Sequence, residues 1–547
     1  MYSEIVVLSS KTGFNSKTYT YKNPSDIEIK TGQLVKVSFG SQNYFGIVAS
    51  QTAKTTLKNT KTISTVYGQL PLISQSQFNL FKLVAEHYRG SVSDLIKLAL
   101  PTIPARQLKL LEKTPSDHNQ PSELIIIPSE IKIPEIISQL SPNQKIIPIL
   151  STDTPSEKFQ KYIQILSGQA QTIIGARSSI LLPINNLSKI TIYDEEDPAY
   201  QEERSPYYNS IKVAELRTQL PDQPKLILIT SSPSLSSFLQ RKNSLKIIPL
   251  ETNKKVKIIS FNQYERYQTK SAFLTKIAID QVSYNLRQKK STLIYLNRVA
   301  PKGFLFCQSC QFKKILPNLV DLCPNCRSPR LKFFSPNIFN LSSEIKKLFP
   351  LSKSSIIDAK TKPDFTSDIY LATKSATYLS FPESLGSIII TNTDDLFYPY
   401  NFNSEMEGFQ TLRKLLRIPA NLYLLQSKNP DNHLISQSLI PNPNIFVDKQ
   451  LKLRQSFRLP PYTHCLTINI SGKNTKLLKN KTKKVVRLIK ESGNKFSIGE
   501  IVILKKISTD TFISKIPIYH PNLKAFDIIT TQLPRGSAIK INYRDSI

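Results

Sequence analysis

The chain has 547 residues, with 73 Lys and Arg against 40 Asp and Glu, a net charge of +33. That length predicts three or four domains, and the positive field selects polyanions, nucleic acid or an anionic membrane, as partners. No run of 18 apolar residues occurs, which predicts no transmembrane helix. The opening MYSEIVVLSSKTG has neither a basic n-region nor a small-residue cleavage site, so a cytoplasmic protein without a secretory leader is expected. The chain is rich in Lys, Ile, Asn and Ser, with 15 Gly and no Trp. An AT-rich genome drives composition the same way, so part of the charge is compositional.

Residues 1–70 alternate short apolar runs with turn residues (EIVVLSS, YTYKNP, GQLVKVSFG, YFGIVAS, TKTISTVYG), the pattern of a small β-barrel or sandwich. Residues 77–100 have helical periodicity and stop at Pro101. A polar, proline-containing stretch without a core pattern follows and reads as a linker. From residue 124 continuous apolar runs (LIIIP, KIIPIL, TIIGA, ITIYDEE, KLILITSSP) alternate with helical segments, which predicts a parallel α/β sheet. A second such series begins near 291 (TLIYLNR, SSIIDA, DIYLAT, SIIITNT, NLYLLQS), interrupted at 300–335 by a cysteine-bearing segment. The last hundred residues mix a helix, KLLKNKTKKVVRLIKES, with strands CLTINIS, IVILKKIS and AIKINYR. These shifts divide the chain into an N-terminal domain at 1–105, a linker at 106–123, α/β units at 124–250 and 251–445, and a C-terminal α/β domain at 446–547.

Four of the five cysteines form two pairs, Cys307-x-x-Cys310 and Cys323-x-x-Cys326, twelve residues apart. Each C-x-x-C turn aims two thiolates at one point, and two turns supply four soft ligands in a tetrahedron, a donor set that suits Zn²⁺. No coordination position stays open, so the expectation is one structural zinc. The alternative, four reduced core cysteines, fits the paired spacing less well. Cys465, beside His464, reads as a core residue at the start of a strand.

Seven stretches resemble, in order, the PriA family of bacterial replication-restart proteins. TYTYKNP, GQLVKVSFG and YFGIV resemble the family's DNA-binding barrel, and AEHYRGSVSDLIKLALP its closing helix pair. GQAQTIIGARSSILLPINNL with IYDEEDPAY, ITSSPSLSS, LIYLNRVAPKGFLFCQSC, FPESLGSIIITNTDDLFYPYNFNSEMEGFQTL and LKLRQSFRLPPYTHCLTINISG follow. The resemblance implies a multidomain α/β chain with an N-terminal small β-barrel DNA-binding domain. Two degenerate RecA-like helicase lobes with a zinc-binding insertion and a C-terminal α/β domain complete it. The family has four C-x-x-C pairs and two zincs. Here only the outer pairs remain, which implies that one zinc is kept and the other is deleted with its loop.

Elements for ATP chemistry are missing. A P-loop needs G-x-x-x-x-G-K-[ST], because glycine amides cradle phosphates and Lys neutralises them; between Gly90 and Gly168 there is no glycine. The space from Pro101 to Leu124 is also short for the family's winged helix plus a P-loop. The acidic box survives as Asp194-Glu195-Glu196, but Asp197-Pro198 replaces its histidine; without phosphate amides it reads as a solvated acidic strand end. FQTLRKLLRIPANLYLLQS keeps Arg413 and Arg417 without the Q-x-x-G-R-x-G-R pattern. ATP is therefore not an expected cofactor.

For DNA, the resemblance maps the family's strand-end pocket to Tyr19, Tyr21, Phe39, Gly40 and Lys61. An aromatic face stacks on a base, glycine lets backbone approach closely, and lysine neutralises phosphate. Each aromatic is equally a candidate for barrel core. Thr20 stands where some relatives carry an acid. The reading is a protein that binds forked or branched DNA and recruits primosome and replication-restart partners, without helicase activity or a membrane. The competing readings are a residual ATP-dependent 3′–5′ DNA helicase, and a zinc-stabilised structural protein that binds nucleic acid.

Overall fold

The computed structural model describes all residues except 9–17, 26, 58, 69, 89, 113–121, 205, 262–268, 270, 298–302, 317–319, 335–336, 358–364, 398–401, 493–495, 507–510, 528, 530–536 and 542–547. The chain forms two compact units, Met1–Lys246 with Lys449–Ile547, and Ile247–Asp448.

The first unit begins with β1 (Tyr2–Val7), β2 (Tyr19–Lys22), β3 (Leu34–Phe39), β4 (Gln42–Thr52) and β5 (Thr65–Tyr67), in the order β2-β1-β4-β3-β5. Lys22 at the β2 edge donates its N–H to Lys61 O at 2.9 Å and accepts from Ile63 N at 3.1 Å. Those bonds join the strand to the segment leading into β5 and close the sheet into a barrel, which removes the exposed edge. Alternation does the sorting. Ile5, Val7, Val35, Val37 and Val48 pack together inside, while Val6, Leu34 and Ile47 face outward into a core shared with Phe78, Phe81, Val84, Leu95 and Ile96. The last five belong to helices Gln75–Tyr88 and Val92–Ala99, the second capped by Ser91.

The expected linker is only partly one. Residues Ala105–Glu112 form a 3₁₀ helix with Leu111 fully buried, because its three leucines find apolar neighbours in the same core; residues 113–121 lie outside the described ones. Tertiary packing, which a polar composition conceals, overrides the local signal.

A six-stranded sheet follows: β6 (Ser122–Ile126), β7 (Ile146–Pro148), β8 (Thr172–Gly175), β9 (Leu187–Tyr193), β10 (Lys225–Thr230) and β11 (Leu245–Ile247), ordered β11-β10-β9-β6-β8-β7. The β10-β9-β6-β8-β7 pairings are parallel. Five of its six strands coincide with the five apolar runs; the sixth, β11, is an addition at the edge. Among the described residues, no strand stands between the Val92–Ala99 helix and β6. Tyr162 Oη donates to Leu72 O at 2.8 Å and Gln77 Nε2 to Leu181 O at 2.8 Å, which fasten the barrel's helices to this sheet.

The second unit carries β12 (Val256–Ser260), β13 (Thr292–Tyr295), β14 (Gly303–Cys307), β15 (Lys313–Leu316), β16 (Leu331–Phe334), β17 (Ser354–Ile357), β18 (Ile369–Ala372), β19 (Ser387–Ile390) and β20 (Tyr423–Ser427). Six form a parallel sheet ordered β12-β20-β19-β13-β18-β17, and the other three an antiparallel ribbon, β15-β14-β16. Every residue of β13, β18, β19 and β20 is buried, as a parallel sheet covered on both faces requires.

Back in the first unit, β21 (His464–Gly472), β22 (Ser497–Ile498), β23 (Val502–Lys506), β24 (Thr511–His520) and β25 (Ser537–Ile541) form a C-terminal sheet ordered β22-β24-β21-β25, with β23 also on β24. The Thr475–Glu491 helix packs on it. Cys465 is buried in β21.

Gly32 is where barrel and helix pair meet. Its φ is +87°, its N–H donates to Val48 O at 2.8 Å, and an added Cβ would lie 2.0 Å from Ile73 O. Gly32→Ala is expected to destabilise the first unit by more than about 2 kcal/mol, since left-handed backbone alone costs a side chain roughly 1–2 kcal/mol. Thermal unfolding followed by circular dichroism checks this; an unchanged melting temperature contradicts it.

Candidate nucleic-acid interface and metal centre

The two knuckles are built alike. In each, the N–H of the first cysteine and that of the residue after the second close the turn. Cys307 N donates to Phe312 O and Gln311 N to Cys307 O, both at 2.9 Å; Cys323 N donates to Ser328 O at 3.0 Å and Arg327 N to Cys323 O at 2.9 Å. Gln311 (φ +58°) and Arg327 (φ +57°) take the left-handed conformation at equivalent places. The four Sγ atoms lie within 4.8 Å of one another, with Cys307···Cys326 at 3.6 Å and Cys310···Cys323 at 3.7 Å. Thiolates 2.3 Å from a tetrahedral zinc stand about 3.8 Å apart, so this donor set fits such an ion, and these residues could hold a metal. Asn325 donates its side-chain N–H to Cys310 Sγ at 3.5 Å and its backbone N–H to Cys323 Sγ at 3.4 Å. The Asn325 side chain, helped by Phe312 N–H, draws the Cys310 thiol down to about 6, toward the thiolate that metals bind.

At the barrel, the structure brings four of the five expected DNA-binding residues together. The Tyr19 and Phe39 rings meet edge to face at 4.8 Å, and both are half-buried. Gly40 follows Phe39 in the β3–β4 turn with φ +63° and open space around it. Exposed Lys61 reaches the turn, donating to Gly40 O at 3.2 Å and Ser38 Oγ at 3.3 Å. Tyr21 stands apart. It is 4% exposed among Ile5, Val35 and Val48, its hydroxyl donates to Ser38 O at 3.0 Å, and burial, with Tyr19 alongside, raises its phenol above the usual range. Its place is core, and its role in the cluster is to hold the Ser38 backbone.

Two partners went unread in the sequence. Tyr44 packs on Phe39 at 6.3 Å; the signal was the tight Gly40-Ser41 turn, which pairs Phe39 with Gln42 and puts Tyr44 on the same face. Glu4, opposite Thr20 in the β1–β2 register, accepts the Thr20 hydroxyl on its carboxylate.

The acidic strand end is not solvated, contrary to expectation. Asp194, Glu195, Glu196 and Asp197 are all at most 4% exposed. Lys132 pairs with Asp194. Glu195 accepts from Ser234 N at 2.7 Å, Ser234 Oγ at 2.9 Å and Ser237 Oγ at 2.8 Å. Burial, with Glu196 beside it, pushes its carboxyl up to about 7. Glu196 accepts from Thr230 Oγ1 at 2.6 Å, and Asp197 caps Ala199 N at 2.9 Å. Apart from the local Asp197 cap, the donors stand far from the acids they serve, Thr230, Ser234 and Ser237 34 to 42 residues downstream and Lys132 62 residues upstream, so adjacent sequence did not reveal them. Arg413 is fully buried in the Ser404–Arg417 helix and donates to Ile440 O and, at 2.8 Å, to Pro441 O. Arg417, one turn on, is exposed.

Residues 5–101 match the family model of the 3′ DNA-binding domain of PriA. Over most of its length the chain is similar to the replication restart protein PriA of Rickettsia typhi, with 24% identity across 89% of this chain and 90% of the relative. The PriA of Thermotoga maritima is 23% identical across 73% of this chain and 60% of the relative. That of Bacillus subtilis is 20% identical across 64% and 50%. Among solved structures, Saccharomyces cerevisiae Dbp5 bound to RNA and ADP BeF3 aligns with 70% of this chain and 97% of its own at 10% identity. Its TM-score is 0.33, too loose to carry an argument.

The cysteine geometry generates one expectation. Elemental analysis of the purified chain is expected to give one zinc per molecule, and Cys307→Ser to lose it and expose residues 303–334 to proteolysis, at a local cost of several kcal/mol. Two zincs, or none after gentle purification, contradicts the reading.

Proposed function

The chain is a member of the PriA family of replication restart proteins, and from that premise we propose that it binds forked or branched DNA and helps assemble the primosome without hydrolysing ATP or unwinding DNA. The observation that carries the DNA reading is the cluster of Tyr19, Phe39 and Lys61 about the Gly40 turn, inside the stretch that matches the 3′ DNA-binding domain. Aromatic edges, an open backbone turn and a mobile ammonium are what a terminal nucleotide needs: a stacking face, an approach to its sugar and a charge for its phosphate. The four cysteines hold one structural zinc that fixes the ribbon of β14, β15 and β16.

Three observations support the loss of ATP chemistry. No glycine occurs between Gly90 and Gly168, so no phosphate-cradling loop precedes β6. Lys132, Thr230, Ser234 and Ser237 engage the acidic residues that would otherwise hold Mg²⁺. Arg413 serves backbone carbonyls at the end of the His433–Ser438 segment, which removes it from any transferring phosphoryl group. The two parallel sheets then act as a frame.

Binding to a fork with a free 3′ end is expected to exceed binding to blunt duplex of equal length, and to weaken with salt at about 0.9 log unit per phosphate contact per log unit of salt. Tyr19→Ala should cost roughly 1–3 kcal/mol at strand ends and little on blunt duplex, while Lys61→Ala weakens both. Equal affinity of the wild type for fork and duplex overturns the fork reading. No DNA-stimulated ATP hydrolysis is expected; a rate abolished by the double change Asp194→Asn and Glu195→Gln would sink that part.

A further inference from the structure

Each cysteine knuckle sends the side chain of its third residue across to the other. In the first, Cys307-Gln308-Ser309-Cys310, the Ser309 hydroxyl meets the Ser328 hydroxyl at 2.8 Å, just past the second pair. In the second, Cys323-Pro324-Asn325-Cys326, the Asn325 side chain reaches Cys310 Sγ at 3.5 Å. The backbone holds the two knuckles in register. Gln308 N donates to Arg330 O at 3.0 Å, Arg330 N to Ser328 Oγ at 3.1 Å, and β14 pairs with β16 as far as Cys307 opposite Leu331.

The two crossings end on different atoms. The Ser309 side chain ends on a hydroxyl and ties the knuckles together. The Asn325 side chain ends on a ligand sulfur, and its backbone N–H meets a second one, Cys323 Sγ, at 3.4 Å. One residue thus aims two N–H donors at two sulfurs, one in each knuckle. An amide meets a thiolate only through its N–H, because its oxygen accepts alone. Turn geometry does not call for asparagine here, since the left-handed positions are Gln311 and Arg327.

Four thiolates whose closest pairs stand 3.6 and 3.7 Å apart repel one another, and together they exceed the charge of a divalent ion. Donors aimed at sulfur draw off part of that charge and fix the sulfur's position. Cys307 and Cys323 are buried, so solvent reaches the set through half-buried Cys310 and exposed Cys326. Loss of the ion begins when a thiolate that water can reach swings away, and Cys310 is held from the opposite knuckle. We infer that Asn325 is a positioning residue of the metal centre, whose N–H groups keep Cys310 and Cys323 at ligand spacing and slow release of the ion. The inference rests on the zinc reading above.

The test compares the full-length wild type with Asn325→Ala, Asn325→Asp and Ser309→Ala. Zinc transfer to the chromogenic chelator pyridylazoresorcinol is followed by absorbance, and the cobalt-substituted protein is read by its thiolate-to-cobalt charge-transfer band. Asn325→Ala should speed zinc transfer by about tenfold or more. It should also move the band to lower energy, because a sulfur without its donor gives up electron density more readily. Asn325→Asp, of the same size but without the side-chain N–H, should do both more strongly. Ser309→Ala should leave the band in place. Asn325 is exposed, so circular dichroism should match the wild type in every variant. Wild-type rate and band in Asn325→Ala overturn the inference. Equal acceleration in Asn325→Ala and Ser309→Ala with neither band moved also overturns it, leaving both residues as ties between knuckles. A wild type that takes up neither zinc nor cobalt fails earlier and differently, since it overturns the zinc reading together with the inference.

Discussion

The buried carboxylate of Glu195 decides what the first parallel sheet can do. A carboxylate removed from water is costly unless donors replace the water, and here Ser234 and Ser237 supply three hydrogen bonds from the turn and helix that follow β10. Glu196 reaches Thr230 at the end of β10, and Asp194 reaches Lys132 in the short helix after β6. The acids at the end of β9 thus tie the carboxyl ends of β6, β9 and β10 to one another. In open α/β sheets that edge is where ligands bind. A carboxylate committed to neighbouring serines and a lysine acts as a clamp, and removing one partner leaves an uncompensated buried charge.

Apolar burial, more than this clamp, keeps the two parallel sheets folded. Their strands remain near-continuous apolar runs, and a fully buried aliphatic side chain contributes roughly 1.5–3 kcal/mol whether or not a nucleotide is present. The barrel's helix pair adds to the same core through Phe78, Phe81 and Val84. Two carbonyls outside those helices, Leu72 O and Leu181 O, are met across the boundary by Tyr162 and Gln77.

Much of this was legible in the sequence, for physical reasons that differ from place to place. Parallel strands buried on both faces read as unbroken apolar runs, so all ten predicted strands of the two sheets are present. Two C-x-x-C turns carry their geometry in their spacing. Tyr19 and Tyr21 were not separable, because residues two apart on a strand share a face; only depth along the barrel makes one rim and the other core. The acidic strand end was misread because the donors that bury it lie far along the chain. The leucines of Ala105–Glu112 were misread because proline and polar neighbours mask a contact that only tertiary packing supplies.

The barrel and the C-terminal sheet lie in the same compact unit. Under the proposed reading, the Tyr19 and Phe39 rings and Lys61 divide the work at the barrel. A stacking contact at a strand end gains little from long-range attraction and discriminates by shape. A lysine beside it gains from counterion release, acts over about a Debye length and discriminates hardly at all. On that reading, with no ATP hydrolysis to draw on, selection of a branched structure rests on equilibrium binding alone: the aromatic contact sets the discrimination, and the charge sets the affinity and its dependence on salt.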